Sequence, residues 1–178
     1  HTFGISRSTL LLNRMRDDVP AAFAALIARR SAHEPVAYIT GRQDFWTLTL
    51  KVTPAVLIPR ADSETLIEAA ISALTERPPA RILDLGTGSG ALLLAALAQW
   101  PDAQGVGVDA SADALAIAQS NATALGFGNR AKMLPGDWRH PGWQQPLPGP
   151  FDLIVCNPPY VETTAALAPQ VMEHEPHC

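Results

Sequence analysis

Cysteine and lysine are scarce in this 178-residue chain, and each scarcity excludes a class of protein. The two cysteines, Cys156 and Cys178, cannot build the disulfide framework of a small secreted domain, so we expect a reducing, cytoplasmic location. Lys51 and Lys132 are the only lysines, and the formal net charge is −4. This balance argues against a protein that coats nucleic acid, and we expect no direct nucleic-acid binding.

Long hydrophobic runs and a secretion signal are missing as well. The longest uncharged stretch, residues 85–101, has 17 residues and contains three glycines, which is too short and too interrupted for a membrane span. The first residues do not show the basic and then apolar pattern of a signal peptide. Because 47% of the residues are hydrophobic, the chain is nevertheless too apolar to be disordered. We therefore expect a soluble globular protein without a membrane segment.

The period of the hydrophobic pattern changes twice along the chain. Residues 1–35 are predicted to be helical, with Phe23, Leu26 and Ile27 facing a core, and residues 36–60 alternate as in a β-hairpin. From residue 61 onward, helical and strand patterns alternate, with an N-cap at Asp62 or Ser63. The predicted strands are 81–85, 105–109, 131–134 and 151–156, the last covered on both faces. This alternation predicts an α/β fold with a Rossmann-like, doubly wound, mostly parallel sheet.

A glycine-rich turn lies between the first predicted strand of this sheet and the next helix. It consists of Gly86, Thr87, Gly88, Ser89 and Gly90, a spacing that fits neither the dinucleotide motif nor a P-loop. Glycines allow a sharp turn and a close ligand approach, and the helix N-terminus offers free N–H groups. The alternative interpretation is a tight strand-to-helix connection.

Asp109 ends the second strand, 19 residues after Gly90. At this position a carboxylate can accept hydrogen bonds from both hydroxyls of a ribose. Asp109 could instead cap the following helix, but Ser111 already suits that position. The glycine turn and Asp109 together predict a cofactor that contains adenosine and is neither a nucleoside triphosphate nor NAD.

Asn157-Pro158-Pro159-Tyr160 follows directly on the fourth strand, at the sheet edge where ligands bind in open parallel sheets. The prolines stiffen the backbone and leave carbonyl oxygens without ladder partners. Asn157 and the Pro158 carbonyl can accept both hydrogens of a planar –NH₂ group, and Tyr160 can stack on it. We interpret Asn157, Pro158 and Tyr160 as catalytic groups that orient a weakly nucleophilic nitrogen toward an electrophile.

Six motifs carry a resemblance that runs over nearly the whole chain. They are Glu34–Gly41, Asp44-Phe45-Trp46, Val56–Glu64, Asp84–Gly90, Gly136-Asp137-Trp138 and Asn157–Tyr160. In these residues the chain resembles the HemK/PrmC family of class I S-adenosylmethionine-dependent methyltransferases. Members of that family methylate the side-chain amide nitrogen, N5, of a glutamine in peptide chain release factors.

The resemblance implies a role for each motif. Residues Gly86 to Gly90 would cradle the methionine part of S-adenosylmethionine, Asp109 would hold its ribose and Trp138 would flank its adenine. Asn157 would touch both cofactor and glutamine, and Pro158, Pro159 and Tyr160 would shape the glutamine pocket. A release factor would be the protein partner.

The resemblance also implies a domain organisation. Residues 1–35 would be the remnant of a helical, substrate-recognising domain, 36–60 a hairpin linker, and 61–178 a methyltransferase domain. Family members continue beyond the equivalent of Cys178, so the domain is expected to be incomplete and the chain a fragment.

Several alternatives stay open. The glutamine could belong to a ribosomal protein, although Ala61-Asp62-Ser63-Glu64 favours the release-factor group. The same amino-group chemistry serves adenine-N6 methylation of nucleic acid, which the net charge disfavours. The fragment could also be catalytically silent.

Three further groups of residues are expected to have no catalytic role. We expect no metal site, because Glu173, His174, Glu175, His177 and Cys178 lack the spacing of zinc ligands. Arg60 and Glu64 are interpreted as a surface ion pair or first-turn charges, and Cys156 as a buried strand residue.

Overall fold

A computed structural model describes residues 2–158 and 169–176 of the chain. Its helices are α1 (Arg7–Asn13), α2 (Ala22–Ser31), α3 (Val36–Thr40), α4 (Glu64–Ala73), α5 (Ala91–Gln99), α6 (Ala112–Ala124) and α7 (Pro169–His174), with a 3-10 turn at Ala61–Ser63. Its strands are β1 (Arg42–Phe45), β2 (Leu48–Lys51), β3 (Arg81–Leu85), β4 (Gln104–Asp109), β5 (Ala131–Pro135) and β6 (Leu153–Cys156).

The main sheet has four strands in the order β5-β4-β3-β6, and all of its pairs are parallel. Helix α5 connects β3 to β4, and α6 connects β4 to β5. Each of these connections is long enough for a crossover helix, which parallel neighbours require. The predicted Rossmann-like sheet is therefore confirmed.

Helix α5 forms the centre of the core. Its residues Ala91 to Leu97 are all buried, because the helix is apolar on every side and its neighbours cover it fully. Phe45 and Leu50 of the hairpin belong to the same apolar cluster and are 1% and 0% exposed. The hairpin is thus packed into the core around α5.

The hairpin prediction is confirmed for β1 and β2, which pair from Arg42–Lys51 to Phe45–Leu48. It is wrong for residues 36–40, which form α3, and for residues 52–60, which belong to no strand. Gly41 ends this helix with φ +72°, a left-handed conformation that favours glycine. Ala37 and Tyr38 are buried against Val52 and Val56, and this packing stabilises the helix. The alternating sequence pattern could not predict these contacts.

Three burial predictions are also wrong. Phe23 and Ile27 are 42% and 48% exposed, since no residue of α2 reaches the core. Strand β6 is not covered on both faces: Ile154 is 58% exposed, because β6 pairs with β3 alone within the described residues. Cys156, next along this edge strand, is exposed for the same reason.

Within residues 2–158 and 169–176, no helix combines the length and the apolarity that crossing a bilayer requires.

Gly105→Ala tests how closely α5 approaches the sheet. A Cβ at Gly105 would lie 2.7 Å from Leu93 Cδ1 and 3.1 Å from Leu97 Cδ1, and both leucines are fully buried. We expect the free energy of unfolding in urea to fall by about 1–3 kcal/mol through overpacking. Gly128→Ala is the matched control, because its Cβ would meet Thr123 only at 3.7 Å. Equal effects of the two substitutions would contradict this packing.

Candidate functional site

Four segments meet at the carboxyl edge of the main sheet. Leu85 pairs with Val108 on one side and with Cys156 on the other, so the residues that follow them, Gly86, Asp109 and Asn157, lie side by side at this edge. Asp109 is in turn level with Pro135, which leads into the segment that carries Trp138. The parallel register therefore brings together the predicted site residues that the structure describes.

The glycine turn is held by its own backbone. The amides of Gly86 and Thr87 both donate to the Val108 carbonyl at 2.9 Å, and the Gly90 amide donates to the Thr87 carbonyl at 2.8 Å. Gly86, Gly88 and Gly90 have φ values of +73°, +53° and +84°. These left-handed conformations explain the need for glycine at each position. At Gly88, a Cβ would point into open space.

Asp109 is fixed by two backbone amides. Its Oδ2 accepts from Gly88 N and its Oδ1 from Ser111 N, both at 2.9 Å. Each carboxylate oxygen can accept a further hydrogen bond, so both remain available to hydroxyl groups. Ser111, as predicted, caps α6 by accepting from Ala114 N at 3.2 Å. Asp109 is thereby oriented toward the glycine turn.

Asp84 lies beneath the turn and is 1% exposed. Its Oδ2 accepts from the Thr87 hydroxyl at 2.7 Å, whereas its Oδ1 accepts no hydrogen bond from the described residues. Burial raises the pKa of Asp84 to about 6, although the Thr87 hydrogen bond opposes the shift. An unpaired carboxylate oxygen in this position would attract a positively charged group.

Trp138 lies over the start of the turn. A Cβ on Gly86 would be 3.4 Å from Trp138 Cη2, which is van der Waals contact, and the indole is 43% exposed. An aromatic face is thus available beside the glycine turn, on the β5 side of the site.

Asn157 lies on the β6 side, and its Nδ2 donates to the Ser63 hydroxyl at 3.2 Å. Pro158, next in the chain, is exposed. Pro159 and Tyr160 lie outside the described residues, so their predicted roles are untested.

Sequence reasoning missed Asn121, a buried residue of α6. Its Oδ1 accepts from Lys51 N at 2.8 Å, while its Nδ2 donates to the carbonyls of Lys51 at 3.0 Å and Ser89 at 2.8 Å. Asn121 therefore connects the hairpin to the glycine turn. The signal was present in the sequence, since Asn121 continues the buried stripe of Ala114 and Ala118 at helical spacing.

The polar residues before α4 have more specific contacts than predicted. Arg60 pairs at 2.5 Å with Glu175; the Arg60 side chain is 44% exposed and that of Glu175 is 2% exposed, so only the carboxylate of the pair is buried. Glu64 accepts the Trp46 amide at 2.7 Å, at the tip of the hairpin. Neither Asp62 nor Ser63 caps α4 through its side chain, because the 3-10 turn leads directly into the helix.

Potential metal ligands do not cluster in the part of the chain that the structure describes, where no group of three or more His, Cys, Asp or Glu is suitably arranged. His177 and Cys178 lie outside it, so the expected absence of a metal site stays a prediction.

Comparison with known proteins fits this geometry. Residues 62–174 match the family described as "Methyltransferase small domain", and residues 1–41 match "PrmC N-terminal domain". The chain belongs to the methyltransferase small domain family. The glycine turn, Asp109, Trp138 and Asn157 all lie within the matched methyltransferase domain.

Curated relatives cover nearly the whole chain. The release factor glutamine methyltransferase of Rhodospirillum rubrum is 45% identical over 99% of this chain and 54% of its own length. That of Escherichia coli K12 is 42% identical over 91% of this chain and 57% of its own length. The chain thus spans little more than half the length of these relatives.

One solved structure supports the fold of the methyltransferase domain. The N-terminal domain of human METTL16, solved in complex with SAH, superposes with a TM-score of 0.54 over 87% of this chain and 71% of its own. The two sequences are 15% identical, so this likeness concerns the fold alone.

Asp84→Asn should change how stability depends on pH. The folded pKa is about 6 against an ordinary value of 3.8, so between these values the folded state keeps a proton that the unfolded state releases. The Asp84 contribution to stability is therefore lost as the pH rises from 4 to 6. The free energy of unfolding of the variant, measured by urea denaturation, should rise by about 3 kcal/mol relative to that of the wild type between pH 4 and pH 6.

Asp102→Asn is the control for this experiment, because Asp102 is exposed. Stability curves of the wild type and Asp84→Asn that run parallel from pH 4 to 7 would contradict the account of Asp84.

Proposed function

We propose that the protein transfers a methyl group from S-adenosylmethionine to the side-chain amide nitrogen of a glutamine in a peptide chain release factor. The observation that carries this proposal is the convergence, at one sheet edge, of a glycine turn with Asp109 and of an Asn-Pro corner at Asn157. The identity of 42–45% to release factor glutamine methyltransferases supports the same activity. Such a substrate agrees with the expected cytoplasmic location.

The residues of the turn fit S-adenosylmethionine. The unpaired, buried Oδ1 of Asp84 suits a cationic ligand, and the absence of a Cβ at Gly88 leaves room for close approach. Asp109 would hold the ribose hydroxyls with the free lone pairs of its carboxylate, and the exposed indole of Trp138 would flank the adenine. When bound, the cofactor supplies an electrophilic methyl group on a cationic sulfur.

Asn157 and Pro158 would prepare the nucleophile. The amide nitrogen of glutamine is planar and weakly nucleophilic, because its lone pair is delocalised into the carbonyl. Asn157 Oδ1 and the Pro158 carbonyl would accept its two hydrogens and fix its direction. The nitrogen–methyl bond forms as the sulfur–methyl bond breaks, and the amide then loses one proton to water. Pro159 and Tyr160 would complete the glutamine pocket.

A transfer assay with radiolabelled S-adenosylmethionine tests the proposal. The 178-residue chain, and a version extended to the length of its relatives, would be incubated separately with a release factor, a ribosomal protein, DNA and RNA. We expect label on a glutamine of the release factor, and none after that glutamine is replaced by asparagine. Label on adenine, or on the ribosomal protein alone, would contradict the proposed substrate.

Asn157→Ala and Asp109→Ala should separate catalysis from cofactor binding. Asn157→Ala should lower kcat about 100-fold or more, because it removes the group that orients the nitrogen, while the Kd for S-adenosylmethionine changes little. Asp109→Ala should raise that Kd about 10- to 100-fold, measured by calorimetry, because hydrogen bonds to a charged group are lost. The control is Asp113→Ala, on the exposed first turn of α6. Equal losses of kcat and binding in Asn157→Ala would contradict its orienting role.

A further inference from the structure

The 3-10 turn at Ala61–Ser63 and the residue before it contact Asn157 of the Asn-Pro corner and Glu175 further along the chain. Ser63 accepts the Asn157 amide at 3.2 Å, and Arg60 pairs with the nearly buried carboxylate of Glu175 at 2.5 Å. Ser63 N also donates to the Arg60 carbonyl at 3.0 Å, so the two anchor points belong to one hydrogen-bonded turn. This turn is itself fixed, since the next residue, Glu64, accepts the Trp46 amide of the hairpin.

The hydroxyl of Ser63 has no role in helix capping. Ser63 occupies the N-cap position of α4 but has helical backbone angles, φ −72° and ψ −13°, and its side chain makes no capping hydrogen bond. Serine side chains at N-caps usually accept an amide of the first turn, and here the hydroxyl accepts from Asn157 instead. The serine therefore contributes to the corner at Asn157 and not to the start of the helix.

A serine hydroxyl can donate or accept, and here it accepts from the nitrogen end of the Asn157 amide, which leaves the oxygen end free for another partner. Because Ser63 takes a hydrogen from Asn157 Nδ2, the amide plane is held with Nδ2 toward the 3-10 turn. Its Oδ1 accepts no hydrogen bond from residues 2–158 or 169–176, so it remains available as an acceptor. The reversed amide would present a donor to the substrate –NH₂, where an acceptor is needed.

We infer that Ser63 is a positioning residue of the proposed methyl transfer: its hydroxyl fixes the Asn157 amide so that Oδ1 accepts a hydrogen from the substrate amide. This inference rests on the proposed function and adds a group that acts through Asn157. The ion pair of Arg60 with Glu175 supports it by holding the turn in place from the other side. The consequence is a hydroxyl requirement at position 63, which serine or threonine can meet.

Kinetics of three variants test this inference in the version extended to the length of its relatives. Ser63→Ala should lower kcat about tenfold, with the KM for release factor and the Kd for S-adenosylmethionine changed less than about twofold. Ser63→Thr should restore most of the rate, because it keeps the hydroxyl. Ser72→Ala, which removes an exposed serine hydroxyl from the same helix, should behave like the wild type. Ser63→Ala combined with Asn157→Ala should be no slower than Asn157→Ala alone.

A readout that does not need activity distinguishes failure of this inference from failure of the proposed function. In an NMR spectrum of ¹⁵N-labelled protein, the side-chain amide pair of Asn157, assigned with Asn157→Ala, should shift in Ser63→Ala and not in Ser72→Ala. A wild-type kcat in Ser63→Ala, additive losses in the double variant, or an unshifted Asn157 pair would overturn the inference. A wild type that labels no glutamine while the pair shifts would instead overturn the proposed function.

Discussion

Parallel pairing of β3 with both β4 and β6 is the constraint on which the site depends. Strands that run in the same direction end at the same edge, so residues far apart in sequence leave the sheet side by side. Gly86, Asp109 and Asn157 follow Leu85, Val108 and Cys156, the last residues that pair β3 with β4 and β6. Helices α5 and α6 return the chain from β3 and from β4 to the opposite edge. A shift of register in either pair would separate the glycine turn from the Asn-Pro corner.

Electrostatics at this edge are dominated by carboxylates. Asp84 is buried with one oxygen unpaired, and Asp109 is oriented by two backbone amides beside it. A nearby cation would reduce the cost of burying Asp84, since its raised pKa reflects removal of the carboxylate from water. The site is therefore better suited to a cationic ligand than to a phosphate, which agrees with the glycine spacing that departs from the P-loop.

Much of this arrangement could be predicted from the sequence, because it depends on local rules. Continuous apolar runs that alternate with helical patterns predicted the strands, and the glycines between β3 and α5 predicted the turn at their junction. The contacts made over long sequence distances could not be predicted in this way. Asn157 bonds Ser63 and Asn121 bonds Lys51 across 94 and 70 positions, and only the folded chain brings them together. The predictions of burial failed at the edges for a related reason. The sequence pattern shows that Ile154 and Phe23 are apolar, but it does not show which neighbours cover them.

The hairpin and the 3-10 turn connect these contacts into one framework. Asn121 holds β2 to the glycine turn, Glu64 holds the hairpin tip to α4, and Ser63 holds the turn before α4 to Asn157. The glycine turn and Asn157 are thus both supported from the side of the hairpin. Asn157, which follows β6, is oriented by a hydrogen bond to Ser63, a residue outside that strand.

A crystal structure of the protein with S-adenosylhomocysteine and a glutamine-containing release-factor peptide tests the central claim most directly. The account predicts the amino-acid part of the ligand along Gly86–Gly90, its ribose on Asp109 and its adenine beside Trp138. It also predicts the two amide hydrogens of glutamine on Asn157 Oδ1 and the Pro158 carbonyl. An Asn157 carbonyl turned away from the glutamine, or a nucleoside bound elsewhere on the chain, would contradict it.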